Sequence, residues 1–558
     1  MKKIILFFCL AGVFLQSAFP QDQTVGLFTY DTAAYDGYTL FAPLRSKTAF
    51  LIDNCGRLIN QWVNDKVPGN TVIFTPTGHL LRSEMIPNPV MNVGGMGGRV
   101  EKVDWDGNIV WEFTYSDSSV AHHHEALMLP NGNVLLLALE RRPIAEAFAR
   151  GRNPANTNVD EFWPEQIVEI QPIGTDSGAV VWEWHIWDHL IQDFDSTKAD
   201  YGNIADHPEL LDINFTFSAF AEDWLHANAI DYNAERDEII LSLRNTNEFY
   251  IIDHSTTSAE AAGHTGGNRG KGGDFLYRWG NPMVYDRGTE ADQQLFGQHH
   301  VHWVEEGSPD YGKILAFNNG ALRPDSNYAS IDLINPPLDS AGNYVLSGTN
   351  AWGPDSAEWA LTVDIPMKYP AGFLGSSQQL PNKNLLICHG PDGILYEVDS
   401  TGQLVWHYVI PVGQNGPYNQ GGSVSNASAN SLDTRTFRCI RYPKNYPGLA
   451  GISLSLGDRI EGNPLPLPVN CNTDGLEDLL WETARIFPNP AGEKIAIQLD
   501  DSRRQIYRIR NLHGQAVLEG EYQEGNFIDI SRLSPGVYLL EVWASEDTFP
   551  KVGKFVRQ

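Results

Sequence analysis

Four times along this chain a strand, a tight turn and a second strand ending in tryptophan follow one another. The copies are "LIDNCGRLINQW" from Leu51, "KVDWDGNIVWEF" from Lys102, "IQPIGTDSGAVVWEW" from Ile170 and "EVDSTGQLVWHY" from Glu397. A second phrase, a hairpin running into an apolar strand, alternates with it: "IFTPTGHLLRSE", "LMLPNGNVLLLA", "DYNAERDEIILSL", "WVEEGSPDYGKILAF" and "QQLPNKNLLICHG". Asn-Gly, Asp-Gly and Thr-Gly pairs between alternating strands tolerate positive φ and favour hairpins. Together the phrases make units of roughly 50 to 80 residues and about four strands each, the size of propeller blades with insertions. About six such units fit between residues 25 and 450. The expectation is an all-β fold, a β-propeller of about six blades; a pair of β-sandwiches is the simpler alternative.

The repeats stop before "NPLPLPVNCNTDG", a proline-rich stretch after Gly462. Beyond it, residues 484–558 read as a compact β-sandwich of about seven short strands. This tail resembles the C-terminal sorting domain of the type IX secretion system, on Phe487-Pro488-Asn489-Pro490 at its start and Leu533-Ser534-Pro535-Gly536-Val537-Tyr538 near its end. The resemblance implies carriage across the outer membrane by that machinery, with removal of the tail.

The other end reads as an export signal. Lys2 and Lys3 precede the apolar "IILFFCLAGVF" and the small residues Ser17 and Ala18. That run is too short to span a bilayer, so residues 1–20 are expected to be cleaved, between Ala18 and Gln21. No later stretch is long and apolar enough for a membrane helix. The expected division is signal peptide 1–20, propeller 21–462, linker 463–483 and sorting domain 484–558, with a secreted or cell-surface destination in a Gram-negative bacterium. Cys55, Cys388, Cys439 and Cys471 would then face an oxidising compartment, where four cysteines allow three pairings. A formal charge of -30, from 69 acidic and 39 basic side chains, argues against nucleic acid as a partner.

Three segments place histidine just before an apolar strand: "VAHHHEALMLPNGNVLLLA" from Val120, "DWLHANAIDYNAERDEIILSLRN" from Asp223 and "FGQHHVHWVEEGSPDYGKILAFNNG" from Phe296. Polar groups at such positions are costly to bury without partners. A propeller offers a solution, because equivalent positions of different blades converge on one axis. His124, His226 and His299 stand at a similar register in their units, and strand alternation favours His124 over His123. His122, His300 and His302 are weaker candidates. A metal is the competing reading of so many histidines, but adjacent strand residues cannot easily chelate one ion and no acidic or thiolate partner sits at ligand spacing. No metal or other cofactor is expected.

The second and third segments look like the bacterial arylsulfate sulfotransferases that use no nucleotide donor. The pattern Asp-Trp, one residue, His, one residue, Asn, then Arg at the end of the next strand is met by Asp223, Trp224, His226, Asn228 and Arg244. The Gln-His pair followed by a strand and a Phe-Asp-Asn-Gly turn corresponds to Gln298, His299 and "FNNG" at 317–320; His-His-Asp before "LPNGN" corresponds to His123, His124 and Glu125. The resemblance spans roughly residues 25–450. It implies a ping-pong transfer of a sulfuryl group from an aryl sulfate to a phenol, with His299 the nucleophile through sulfohistidine and with His124, His226, Asn228 and Arg244 in support. Such chemistry needs a neutral imidazole, a fixed cation and donors aimed at the developing charge. His123 and Ser376, the latter at the corresponding place of a later unit in "GFLGSSQQLPNKN", are further candidates for substrate contact.

Two features depart from the pattern or extend it. Asn318 stands where the family turn carries Asp, and a glycine-rich insert, "AAGHTGGNRGKGGD", precedes the nucleophile strand as a candidate mobile lid. Arg435, Arg438 and Arg441 are expected to hold the ring closed rather than touch substrate. Two other functions remain open at this stage: a non-catalytic exported propeller binding a glycan or protein, and an aryl sulfate hydrolase in which water takes the sulfuryl group.

Overall fold

The computed structural model describes residues 23–215, 222–324, 328–362, 368, 370–471, 485–498, 505–511, 515–523, 525–544 and 551–558. The expected signal peptide, including Cys9, lies outside the described residues, as does the linker beyond Cys471. Among the described residues no helix is long and apolar enough to cross a membrane.

Strands dominate, and the larger sheets follow one plan. Most place antiparallel strands side by side in chain order, as in Pro68–Phe74, Leu80–Met85, Gly98–Val103 and Ile109–Thr114. The first strands of successive sheets are Pro68–Phe74, Val120–Met128, Ala227–Asn233, His299–Trp303 and Ser376–Gln379. The ring of inner strands is completed by Thr436–Pro443, which pairs with Gly37–Pro43 from the other end of the domain, and each inner strand touches the next around the circle. The architecture is therefore propeller-like and all-β.

The recurring tryptophans explain why neighbouring sheets stay together. Trp62, Trp111 and Trp406 lie on the fourth strands, counted from the inner one, of three sheets and are buried. Each donates its indole N–H to a backbone carbonyl near the outer turn of the next sheet: Trp62 to Asp104 and Trp406 to Asn54, at 2.9 and 2.8 Å, and Trp111 to Ser177 at 2.9 Å. Trp182 reaches Thr256 Oγ1 in the same way at 3.2 Å. An indole suits this place because it buries a large apolar face and still has one N–H to satisfy.

The ring is also fastened chemically. Cys55 and Cys471 form a disulfide, so the beginning of the expected linker is held to the first sheet, while Cys388 and Cys439 are buried free thiols. Arg441 is fully buried, pairs with Glu397 and donates to Thr39 Oγ1 at 3.0 Å, a closure role in keeping with its expected one. Arg438 instead pairs with the buried Glu125 on the Val120–Met128 strand.

The C-terminal segment forms two sheets. One holds Arg485–Phe487, Lys494–Gln498 and Ile528–Asp529; the other holds Gln505–Arg510, Ala516–Tyr522, Gly536–Ala544 and Lys551–Arg557. Ile495, Ile497, Ile509, Leu540, Val542 and Phe555 form their shared core.

Candidate active site

The inner strands do not keep simple alternation at the histidines. Register shifts interrupt the pairing of Val120–Met128, Ala227–Asn233 and His299–Trp303 with their neighbours. His124, His226 and His300 adopt positive φ of 51, 53 and 46°, the left-handed region that non-glycine residues seldom enter. Such bulges re-aim side chains. They also remove the basis for choosing between His123 and His124 by alternation: the two rings are hydrogen-bonded to each other, Nδ1 to Nδ1, at 2.8 Å.

Of the expected imidazoles His124 and His226 meet, and His299 lies within electrostatic reach of both. The His124 and His226 rings are edge to face at 4.9 Å between centroids, and the charge of His226 acts on both His124 and His299. Gly95 is required beside them: its φ is +76° and a Cβ there would lie 2.2 Å from His124 Cε1. Arg244 acts electrostatically on His226 and His299, and its guanidinium passes close to Gly297, two residues before His299.

Partners fix the state of each ring. His299 Nδ1 faces two oxygens, Asn319 Oδ1 at 2.7 Å and Gly297 O at 3.1 Å, so Nδ1 carries the proton. Its Nε2 keeps a lone pair and accepts from Leu374 N at 3.3 Å. Asn319 cannot turn, because its Nδ2 donates to Ala371 O and Leu374 O at 2.6 and 2.7 Å. Burial, followed by the charge of Arg244, pushes His299 down to about 3, so the ring is neutral at ordinary pH.

His226 is set the opposite way. Burial alone would lower it, but the charge of Asp223 and a 2.5 Å hydrogen bond from His226 Nδ1 to Asp223 Oδ2 outweigh burial and raise it above the ordinary histidine value. His124 is held well below that value by burial and by the neighbouring rings. It ends a chain in which His123 Nε2 meets Glu165 Oε2 at 2.9 Å. A carboxylate only accepts, so His123 donates from Nε2; a neutral His123 then accepts from His124 Nδ1.

Arg244 is part-buried, and its hydrogen bonds, to Asn245 Oδ1 and Gly372 O, are both 3.3 Å. Among the described residues no carboxylate lies at ion-pair distance from it. Asn228 is fully buried and donates to Gln298 O at 2.7 Å, which ties the start of the His299–Trp303 strand to its neighbour. Ser376 Oγ accepts from Cys439 N at 3.3 Å and so bridges two inner strands. His122 is satisfied by Ser83 Oγ and Leu137 O, at 2.8 and 2.9 Å, and His300 and His302 stack on each other.

The departure at Asn318 leaves His299 untouched. Asn318 donates to Asp332 Oδ2 and Gln294 O and accepts from Phe296 N, while the next residue, Asn319, holds the imidazole. Glu165 had no sequence signal. It lies on a different strand from every histidine it serves, and its Oε1 also accepts from Ala227 N at 2.7 Å.

The arylsulfotransferase (ASST) family model matches residues 31–335, and the secretion system C-terminal sorting domain matches residues 485–556. The latter implies export by the type IX machinery to the surface or the medium. No curated protein matches the chain. Among solved structures, a Bacteroides caccae protein of unknown function aligns at 13% identity and TM-score 0.35, covering 67% of this chain and 93% of its own. The periplasmic gluconolactonase PpgL of Pseudomonas aeruginosa aligns at 11% identity and TM-score 0.33, covering 66% and 94%. Similarity at that level says nothing of chemistry. The family match covers more than half of the chain and includes the His124, His226 and His299 segments, and on it the chain belongs to the arylsulfotransferase family.

Proposed function

We propose that the protein transfers a sulfuryl group from an aryl sulfate ester to a phenolic acceptor in two displacements at His299. The observation that supports this best is the contrast between two neighbouring imidazoles. His299 is neutral with a lone pair on Nε2, and His226 is disposed to hold a proton. Environments that push two titratable groups apart divide the roles of nucleophile and acid between them.

In the first step His299 Nε2 attacks sulfur and the bond from sulfur to the phenolic oxygen breaks. The leaving oxygen takes the proton of His226, and His299 carries the sulfuryl group. In the second step an acceptor phenol gives its proton to His226, its oxygen attacks sulfur and the nitrogen–sulfur bond breaks. Arg244, free of any carboxylate at ion-pair distance among the described residues, supplies positive charge to the sulfuryl oxygens. His124, oriented by His123 and Glu165, is assigned to substrate positioning. Asn228 positions the strand that carries His299, and Ser376 is kept as a candidate donor to substrate.

The propeller of 21–462 would carry this chemistry, and the 484–558 tail would take it out of the cell. The test is release of a chromogenic phenolate from an aryl sulfate by purified protein, with and without added phenol. Release that rises with phenol, with sulfated phenol as product, is the expected result. Release indifferent to phenol would make the protein a hydrolase, and no release across a broad donor panel would leave a binding module.

A further inference from the structure

The glycine-rich insert, a candidate mobile lid in the sequence, is tied to its surroundings at several points. Arg269 pairs with Glu238 at 2.7 Å and its N–H donates to Asp253 Oδ2 at 2.8 Å. Trp184 Nε1 donates to Gly273 O at 2.8 Å. What these contacts bring together is a set of side chains that the sulfuryl chemistry does not use. His189 Nδ1 and His264 Nδ1 each lie 2.8 Å from Asp274 Oδ1, and the three groups offer ligand atoms within 4.8 Å of one another. His189 and Asp274 are buried and His264 is exposed.

The orientation of His189 is the informative part. Its Nε2 lies 2.8 Å from Ala261 O, which can only accept, so Nε2 bears a proton. In a neutral ring Nδ1 then holds a lone pair, and it is aimed at a carboxylate oxygen that has only lone pairs. Two such atoms at 2.8 Å need a cation between them, either a second proton or a metal ion. Metal-bound imidazoles commonly donate their far N–H to a backbone carbonyl, as His189 Nε2 does to Ala261 O. The ring is held in place by Trp184, stacked on it at 5.5 Å with 5° between planes. Gly273 permits the close approach, since a Cβ there would lie 2.0 Å from Ala261 O and 2.6 Å from His189 Nε2.

We infer that His189, His264 and Asp274 bind one divalent transition-metal ion of the zinc class, which clips the glycine-rich insert to the segment following the Ser177–His185 strand. Two imidazoles and a carboxylate suit zinc, and solvent at the His264 side provides a fourth ligand. Zinc bonds of about 2.0 Å place tetrahedral ligand atoms roughly 3.3 Å apart. Each 2.8 Å contact must therefore open by about half an ångström: exposed His264 can move between Gly263 and Gly266, and the His189 contact opens by a small shift of the Asp274 carboxylate. The insert joins the sheet of Glu248–Asp253 to the outer edge of its neighbour, so the ion would brace two sheets.

The test titrates zinc chloride into the untagged, chelator-treated full chain by calorimetry, beside His264→Ala. His264 is exposed, so the variant is expected to keep the wild-type circular dichroism spectrum. Wild type should take up one equivalent that the variant binds ~100-fold more weakly or worse. Zinc should also slow proteolysis between residues 262 and 273 in wild type alone. Absence of a stoichiometric site in wild type, or equal zinc affinity in His264→Ala, would overturn the assignment and leave a proton as the cation between His189 and Asp274.

Discussion

Asn319 Oδ1 lies 2.7 Å from His299 Nδ1, and the amide nitrogen of the same side chain is held by two backbone carbonyls. One asparagine therefore decides both the tautomer and the direction of the proposed nucleophile. Asn319→Ala frees the ring to turn and to move its proton to Nε2. The expected loss is about 100-fold or more in kcat, up to the ~10⁴-fold that a wrong tautomer can cost, with an unchanged folded spectrum.

His299→Ala removes the attacking nitrogen. Turnover should fall by roughly 10³-fold or more, and the phenolate burst should vanish. Wild-type protein quenched after reaction with donor alone should gain the mass of one sulfuryl group on the peptide carrying His299. A variant that kept the burst would refute the assignment.

The pH profile reads His226. A proton donor to the leaving phenolate works only when protonated, so phenolate release should decline as pH rises through the raised value of His226. Asp223→Asn withdraws the charge that raises it, so that limb should move to lower pH. His299, pushed down to about 3, should impose no acid limb at pH values where the fold is intact. Stopped-flow release of the first phenolate from pH 5 upward tests both signs.

Arg244→Lys keeps a charge but loses the planar fork, and Arg244→Ala loses both. Since no carboxylate among the described residues is at ion-pair distance from Arg244, neither change strands a buried anion there, and folding should be preserved. Arg244→Ala should cost ~100-fold or more in kcat/KM, with Arg244→Lys recovering only part of it.

What the sequence disclosed and what it withheld divide along physical lines. The tryptophan-ended hairpins were legible because their spacing repeats, and the structure adds the reason: Trp62, Trp111 and Trp406 each donate to the next sheet. The gathering of His124, His226 and His299 was legible from their common register before a hairpin. The choice between His123 and His124 was not, because alternation presumes a regular strand and His124 sits in a bulge at positive φ. Glu165 was invisible because its partners, His123 and Ala227, are distant in sequence and a lone glutamate in a strand carries no pattern. The insert's glycines suggested motion; the ties from Arg269 and Trp184 lie in residues no glycine count reports.

The disulfide offers a test of ring closure that is independent of catalysis. Cys55 and Cys471 are 416 residues apart in sequence, so their bond restricts nearly the whole unfolded propeller. Cross-links of this kind contribute roughly 2–5 kcal/mol by restricting the unfolded chain. Cys55→Ser should therefore lower the unfolding temperature, and reduction should do the same to wild type but not to the variant. Thiol titration of the unreduced protein from Gln23 onward should find two reactive groups, Cys388 and Cys439, only after denaturation, because both are buried. Equal melting of the reduced and oxidised forms would show that closure rests on the pairing of Thr436–Pro443 with Gly37–Pro43 and the buried Arg441 alone.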